Sequence, residues 1–214
     1  MMPVAVKICG LTTPDAVAAA VEGGADWLGV VFFAPSPRAI EPEAAAELLD
    51  GVPEEVVKVG LLVDPDDATL DRVLAQVRLD MIQLHGRETP QRVEAIRQEF
   101  GRPVMKAISV GGAADLLAAK AFDGVADRLL FDARPPQGAA NPGGNAQPFD
   151  WPLMADWRGQ SPWMLAGGLS PDNLAQAVKA SGATAVDVSS GVESARGVKD
   201  PDLIRRFLEV AARL

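Results

Sequence analysis

One histidine, His85, and one cysteine, Cys9, are all that the 214 residues contain of two residue types on which much protein chemistry depends. A single cysteine forms no intramolecular disulfide, and one of each forms no Cys/His zinc cluster. Any Ser-His-Asp triad would have to be built on His85. Basic charge is also short: 20 Lys and Arg stand against 29 Asp and Glu, a formal charge of −9. That balance excludes the basic face that nucleic-acid or anionic-membrane binding requires, so no nucleic-acid and no membrane partner is expected. The opening MMPVAVKICGL lacks a basic leader followed by an apolar segment, and no apolar run approaches the length of a bilayer span. A cytoplasmic protein is expected. What is abundant is aliphatic: 48% of residues are hydrophobic and 23% charged, enough for one sizeable core and far from a disordered composition.

Eight short β-branched or Leu-rich runs punctuate the chain, at 4–9, 27–32, 56–63, 80–84, 103–108, 127–132, 162–166 and 184–189. Each is followed by a Gly/Pro or polar loop and then a helix-like segment, such as 14–24, 42–51, 67–77 and 89–101. Thr13, Thr89, Ser170 and Asp200 each precede a proline and read as N-caps, while Gly24, Gly51, Gly101 and Gly182 read as C-terminal stops. Eight strand–helix units predict a single-domain α/β fold spanning 1–214, a parallel (β/α)8 TIM barrel. An open doubly wound sheet is the alternative, but its dinucleotide-binding form would carry Gly-x-Gly-x-x-Gly after the first strand, where this chain has Cys9-Gly10-Leu11-Thr12. The Gly/Pro-rich stretch at 133–148 is read as a mobile loop at the active-site end of strand six.

In such a barrel the chemistry gathers where strands end. Cys9 ends strand one, beside Lys7, whose charge is expected to lower the thiol pKa and make it a proton-abstracting thiolate. Asp132, directly after Leu129-Leu130-Phe131, is placed as a general acid. Arg38, in a loop stiffened by two prolines, suits bidentate grip on a carboxylate or phosphate. His85 reads as a hydrogen-bonding residue at the end of strand four, and Asp187, inside an apolar strand, as either an ion-pair partner or a substrate contact. Gly167-Gly168 after strand seven and Ser189-Ser190-Gly191 after strand eight, the latter able to open a short extra helix, point to a phosphate cradled by backbone N–H groups. A phosphorylated small-molecule substrate is therefore expected.

Taken in order, Lys7-Ile8-Cys9-Gly10-Leu11-Thr12, Phe32 with Ser36-Pro37-Arg38, Gln83-Leu84-His85-Gly86, Phe131-Asp132, Phe149-Asp150-Trp151, Leu165 to Leu169 and Val186 to Glu193 resemble the phosphoribosylanthranilate isomerase family from end to end. The resemblance implies an aldose-to-ketose isomerase of tryptophan biosynthesis, with Cys9 as base, Asp132 as acid, Arg38 on the anthranilate moiety and the two glycine loops on the phosphate. It implies no metal and no redox cofactor, because the reaction only moves protons within the substrate. A monomer or a homodimer is expected. Two departures stand out. Gly143-Gly144-Asn145-Ala146 replaces the usual Gly-Gly-Thr-Gly, restricting a loop expected to close over substrate. Asp64 replaces a common Asn, adding a charge expected to raise the pKa of a neighbouring acid. Two other readings remain at this point: another phosphosugar barrel, such as an indole-glycerol-phosphate synthase or a ribulose-phosphate epimerase, and a non-catalytic phosphometabolite-binding barrel.

Overall fold

A computed structural model describes residues 4–134 and 150–214. Most of the 133–148 loop, including its Gly143–Ala146 departure, and Phe149 lie outside the described residues. The eight expected strands are β1 (Ala5–Cys9), β2 (Trp27–Val31), β3 (Val57–Leu62), β4 (Met81–Leu84), β5 (Val104–Val110), β6 (Arg128–Ala133), β7 (Trp163–Leu165) and β8 (Ala185–Val188). They pair in parallel and in chain order, and β8 returns to β1 to close the barrel.

Side chains alternate across each strand, and the alternation divides the strand residues into two sets. On β1, Val6 and Ile8 join the shell cluster under the helices, with Leu28 and Val30 of β2 and Leu129 and Phe131 of β6. The intervening positions face the lumen. Met105, Ala107, Leu130, Met164, Ala166 and Ala185 fill its lower part, and Cys9, Val31 and Leu61 form a smaller group towards the strand ends. Interior filling of this kind makes the lumen a packed core rather than a channel.

The helices that cover the shell are α1 (Pro14–Glu22), α2 (Pro42–Leu49), α3 (Asp67–Gln76), α4 (Pro90–Phe100), α5 (Ala113–Ala119), α6 (Leu174–Ser181) and α7 (Pro201–Ala211). None is long and apolar enough to cross a membrane. Thr89 and Asp200 cap α4 and α7 through their side-chain oxygens, whereas Thr13 makes no cap bond. The four expected stop glycines all have positive φ. Ser170 is a correction. The chain makes a turn at 171–173, and α6 starts only after Asn173, whose Oδ1 accepts from Ser170 N at 2.8 Å while its Nδ2 donates to Gly168 O at 2.8 Å. Asn173 is thus a brace between the β7 loop and the helix, which a Ser-Pro cap rule does not see.

A second correction concerns β6. Among the described residues no α-helix lies between it and β7; a 3-10 turn at Trp151–Asp156 takes that place and packs on α6. Phe131 on the outer face of β6 anchors this region edge-on, 5.0 Å from the Trp157 ring and 5.8 Å from the Trp163 ring. Sequence patterning also missed a hairpin after β8, formed by β9 (Glu193–Ala195) and β10 (Val198–Lys199). Since Phe131 is fully buried between two indoles, Phe131→Ala is expected to cost about 3–5 kcal/mol in urea unfolding. A loss below about 1 kcal/mol would show that this cluster does not anchor β6.

Candidate active site

The top of the barrel holds a cleft of about 660 Å³, its open mouth included. It is lined by Cys9, Arg38, His85, Asp132, Asp187, Gly167, Gly168, Ser189 and Ser190, together with Gln83 and apolar residues of β2 and β3. Of the described residues singled out from sequence for the site, Gly191, Asp64 and Lys7 are absent from this lining. Gly191 serves a different purpose: a Cβ there would fall 1.8 Å from the Leu169 carbonyl oxygen, so glycine lets the β8 loop press directly on the β7 loop. The expected short helix is a single 3-10 turn over Ser190–Val192.

Asp64 is exposed, at φ 46°, and its Oδ1 accepts the Arg87 N–H at 2.6 Å. It serves a turn against the β4 loop and adds no charge to the cleft wall. Asn and Asp are the residues that tolerate that left-handed conformation.

On β1 the period of two sets Lys7 and Cys9 on the lumen side, one step apart. Lys7 is completely buried, and its Nζ meets Asp187 Oδ1 of β8 at 2.8 Å. Gly29 of β2, paired with Cys9, leaves room for both: a Cβ there would lie 3.0 Å from Lys7 Nζ and 3.1 Å from Cys9 Sγ. Burial alone would lower the Lys7 pKa, but the charges of Asp187 and Cys9 outweigh it and hold the ammonium above its ordinary range. For Cys9 the balance runs the other way. Burial pushes the thiol up and the attraction of Lys7 only partly offsets that, so the expected lowering of the thiol pKa is corrected. Spacing along a strand shows that a cation is near; it does not show how dry the site is.

Arg38 is nearly buried and does make a bidentate bond, but to a partner within the chain: Nε to Glu193 Oε1 at 2.6 Å and Nη2 to Oε2 at 3.0 Å. Glu193 Oε1 also accepts from Lys199 Nζ at 2.7 Å, and Lys199 reaches on to the Ser189 carbonyl at 2.8 Å and its Oγ at 3.2 Å. The hairpin therefore ties the Arg38 loop to the Ser189–Ser190 loop through buried charge. Sequence reasoning overlooked Glu193 and Lys199, because a carboxylate in a hairpin and a lysine before a helix cap carry no local signal. Burial raises the Glu193 pKa, but bonds from Arg38 and the charge of Lys199 more than reverse this and leave it at about 2.

Asp132 is the next-to-last residue of β6, with Oδ1 accepting from Ala133 N at 2.8 Å and Oδ2 3.3 Å from His85 Nε2. His85 Nδ1 lies 3.0 Å from the amide nitrogen of Gln83. The β4 loop that carries His85 is itself pinned: Lys106 Nζ donates to Gly86 O at 2.9 Å and pairs with Glu88 at 2.9 Å. Of the other strand lysines, Lys58 pairs with Asp80 at 3.1 Å, and neither Lys58, Lys106 nor Lys7 lines the cleft.

The depressed Glu193 pKa has a consequence for stability. The side chain is 4% exposed and is ordinarily protonated near 4.5. Its ion pairs therefore contribute fully above that pH and are lost as pH falls towards 2, up to about 3 kcal/mol. Glu193→Gln is expected to be less stable than the parent at neutral pH, with the gap narrowing between about pH 4.5 and 2. A gap independent of pH in acid denaturation would refute the role of these ion pairs.

Comparison with known proteins agrees with this architecture. The family model described as N-(5'-phosphoribosyl)anthranilate (PRA) isomerase matches residues 6–210. The N-(5'-phosphoribosyl)anthranilate isomerase of Paramagnetospirillum magneticum is 63% identical over 210 residues, covering 98% of each chain. A crystal structure of phosphoribosyl anthranilate isomerase in complex with reduced 1-(o-carboxyphenylamino)-1-deoxyribulose 5-phosphate superposes with a TM-score of 0.85 at 34% identity, covering 99% of this chain and 100% of that one. Monomers derived from the dimeric Thermotoga maritima enzyme match with the same score, identity and coverage. From its first strand to its last helix, the chain belongs to the N-(5'-phosphoribosyl)anthranilate isomerase family.

Proposed function

We propose that this cleft converts N-(5'-phosphoribosyl)anthranilate to 1-(2-carboxyphenylamino)-1-deoxyribulose 5-phosphate, the Amadori step of tryptophan biosynthesis, with Cys9 and Asp132 moving the protons. One observation carries the reading: a thiol and a carboxyl, from β1 and β6, line the same cleft as the two loops suited to a phosphate.

Asp132 gives a proton to the ribose ring oxygen as the C1–O bond breaks, and the anthranilate nitrogen supplies the electron pair that completes the Schiff base. Cys9, as thiolate, then takes the C2 proton, and the enolamine so formed tautomerises to the ketone. A thiol with a raised pKa is a strong base once ionised, and the nearby ammonium groups of Lys7 and Lys199 favour that ionisation. Gly167-Gly168 and Ser189-Ser190, with Gly191 allowing the loops to close together, offer N–H and hydroxyl donors to the phosphate. Two of the five Arg38 donors are engaged by Glu193, which fixes the guanidinium in the cleft wall facing the anthranilate carboxylate. Asp187, held by Lys7, takes a ribose hydroxyl, and His85 holds Asp132.

An indole-forming relative would need a lysine open to the cleft, and the three barrel-strand lysines, Lys7, Lys58 and Lys106, are all paired elsewhere or outside the lining. Every residue in the scheme comes from one chain, so a monomer and a homodimer serve equally. A reducing cytoplasm is the fitting compartment for a catalytic thiol that has to stay unoxidised.

Loss of the anthranilate-type fluorescence of freshly generated phosphoribosylanthranilate tests this directly. Cys9→Ala and Asp132→Asn are each expected to lower kcat by about 10²- to 10⁴-fold with the fold retained. Parental turnover in either variant removes that residue from the scheme. Binding of the substrate without turnover by the parent would favour a non-catalytic barrel instead.

A further inference from the structure

Gln83 has no part in the proton transfers above, yet it is completely buried in the lumen and lines the cleft. It lies on β4 two residues before His85, the first residue past the strand, whose N–H still bonds to Leu62 of β3, so the two side chains point to the same side. Its amide nitrogen lies 3.0 Å from His85 Nδ1. With the amide turned this way its nitrogen only donates, so Nδ1 presents its lone pair and the proton of the neutral ring sits on Nε2; the flipped amide, with Oε1 towards Nδ1, would put it on Nδ1. Nε2 is the atom 3.3 Å from Asp132 Oδ2.

With the opposite tautomer Nε2 only accepts, so it would draw the acid's own proton onto its lone pair and away from the substrate, and the carboxylate left after proton transfer would lose one of its two anchors. The other anchor is the N–H of Ala133 on Oδ1. A second observation sets Gln83 apart from a packing residue. Its Oε1 is buried with no hydrogen-bond partner among the described residues, a cost that an apolar side chain in the same place would not incur.

We propose that Gln83 is a positioning residue for Asp132: its amide fixes His85 as the Nε2–H tautomer, and that tautomer holds the carboxyl in line for proton delivery. The proposal rests on the reading of Asp132 as the acid. It involves no new proton transfer, only the direction of two hydrogen bonds.

Because His85 is the sole histidine, nitrogen NMR of the full chain labelled at the imidazole reads its tautomer without overlap. At about pH 8, above the ordinary histidine range, Nε2 is expected to show the protonated, pyrrole-type shift and Nδ1 the pyridine-type shift; the reverse pattern overturns the proposal. Gln83→Glu presents an oxygen that only accepts, so it is expected to move the proton to Nδ1 and to lower kcat about 10- to 100-fold with KM nearly unchanged. A parental kcat, or an unmoved ring proton in that variant, overturns the positioning role. If Gln83→Glu does not fold, the parental spectrum still decides the tautomer. Asp132→Asn run alongside separates the two ideas: parental turnover there removes the acid, and the proposal with it, even where the ring pattern shows the Gln83 bond intact.

Discussion

The ion pair between Lys7 and Asp187 lies on the seam where the barrel closes. β1 and β8 are the first and last strands, and their register sets these two residues opposite one another. Both charges are almost fully removed from water. Neither is tolerable alone there, since a buried charge deprived of its partner typically costs about 3–5 kcal/mol. The pair thus specifies which strands meet and at which offset, and it leaves an ammonium beside the thiol of Cys9. Closing the fold and equipping the cleft are one event at this seam.

Around that pair the cleft is walled by a second set of buried charges. Arg38, Glu193 and Lys199 come from the β2 loop and the hairpin after β8, and they brace the backbone of Ser189. A third set, Glu88 with Lys106, pins the β4 loop from outside the barrel. The β2 and β4 loops are thus tied by ionic bonds to other elements, while the β7 loop is held by the Asn173 amide. Such preorganisation holds donors where charge develops, so that little reorganisation is left to the reaction itself.

The barrel was legible in the chain because each strand is a compact aliphatic run flanked by Gly or Pro, and the candidate site followed because barrel chemistry collects at strand ends. Cys9, Asp132, His85 and Asp187 sit at or beside such ends, Arg38 lies in the loop beyond one, and all five line one cleft. What escaped were features set by long-range geometry. Glu193 meets Arg38 across 155 positions and Lys7 meets Asp187 across 180, so neither pairing leaves a local pattern. The thiol pKa was misjudged for the same reason, as sequence shows the neighbour but not the burial. Ser170 followed by proline carries the local signature of a cap, whereas the bond that matters is made by Asn173, three residues on. The 3-10 turn at Trp151–Asp156 stands where regular alternation led to a helix.

The alternation of side chains along each strand carries one more implication. Val6 and Ile8 belong to the shell, while Lys7 and Cys9 belong to the lumen, all within one five-residue segment. Two messages are interleaved in the same letters, one for cohesion and one for chemistry. Outward letters can be rewritten with little effect on the cleft, whereas an inward one such as Lys7 serves both, since its pair with Asp187 also closes the barrel. A single inserted or deleted residue has no such freedom, because it exchanges the two messages and turns lysine and cysteine out among the helices.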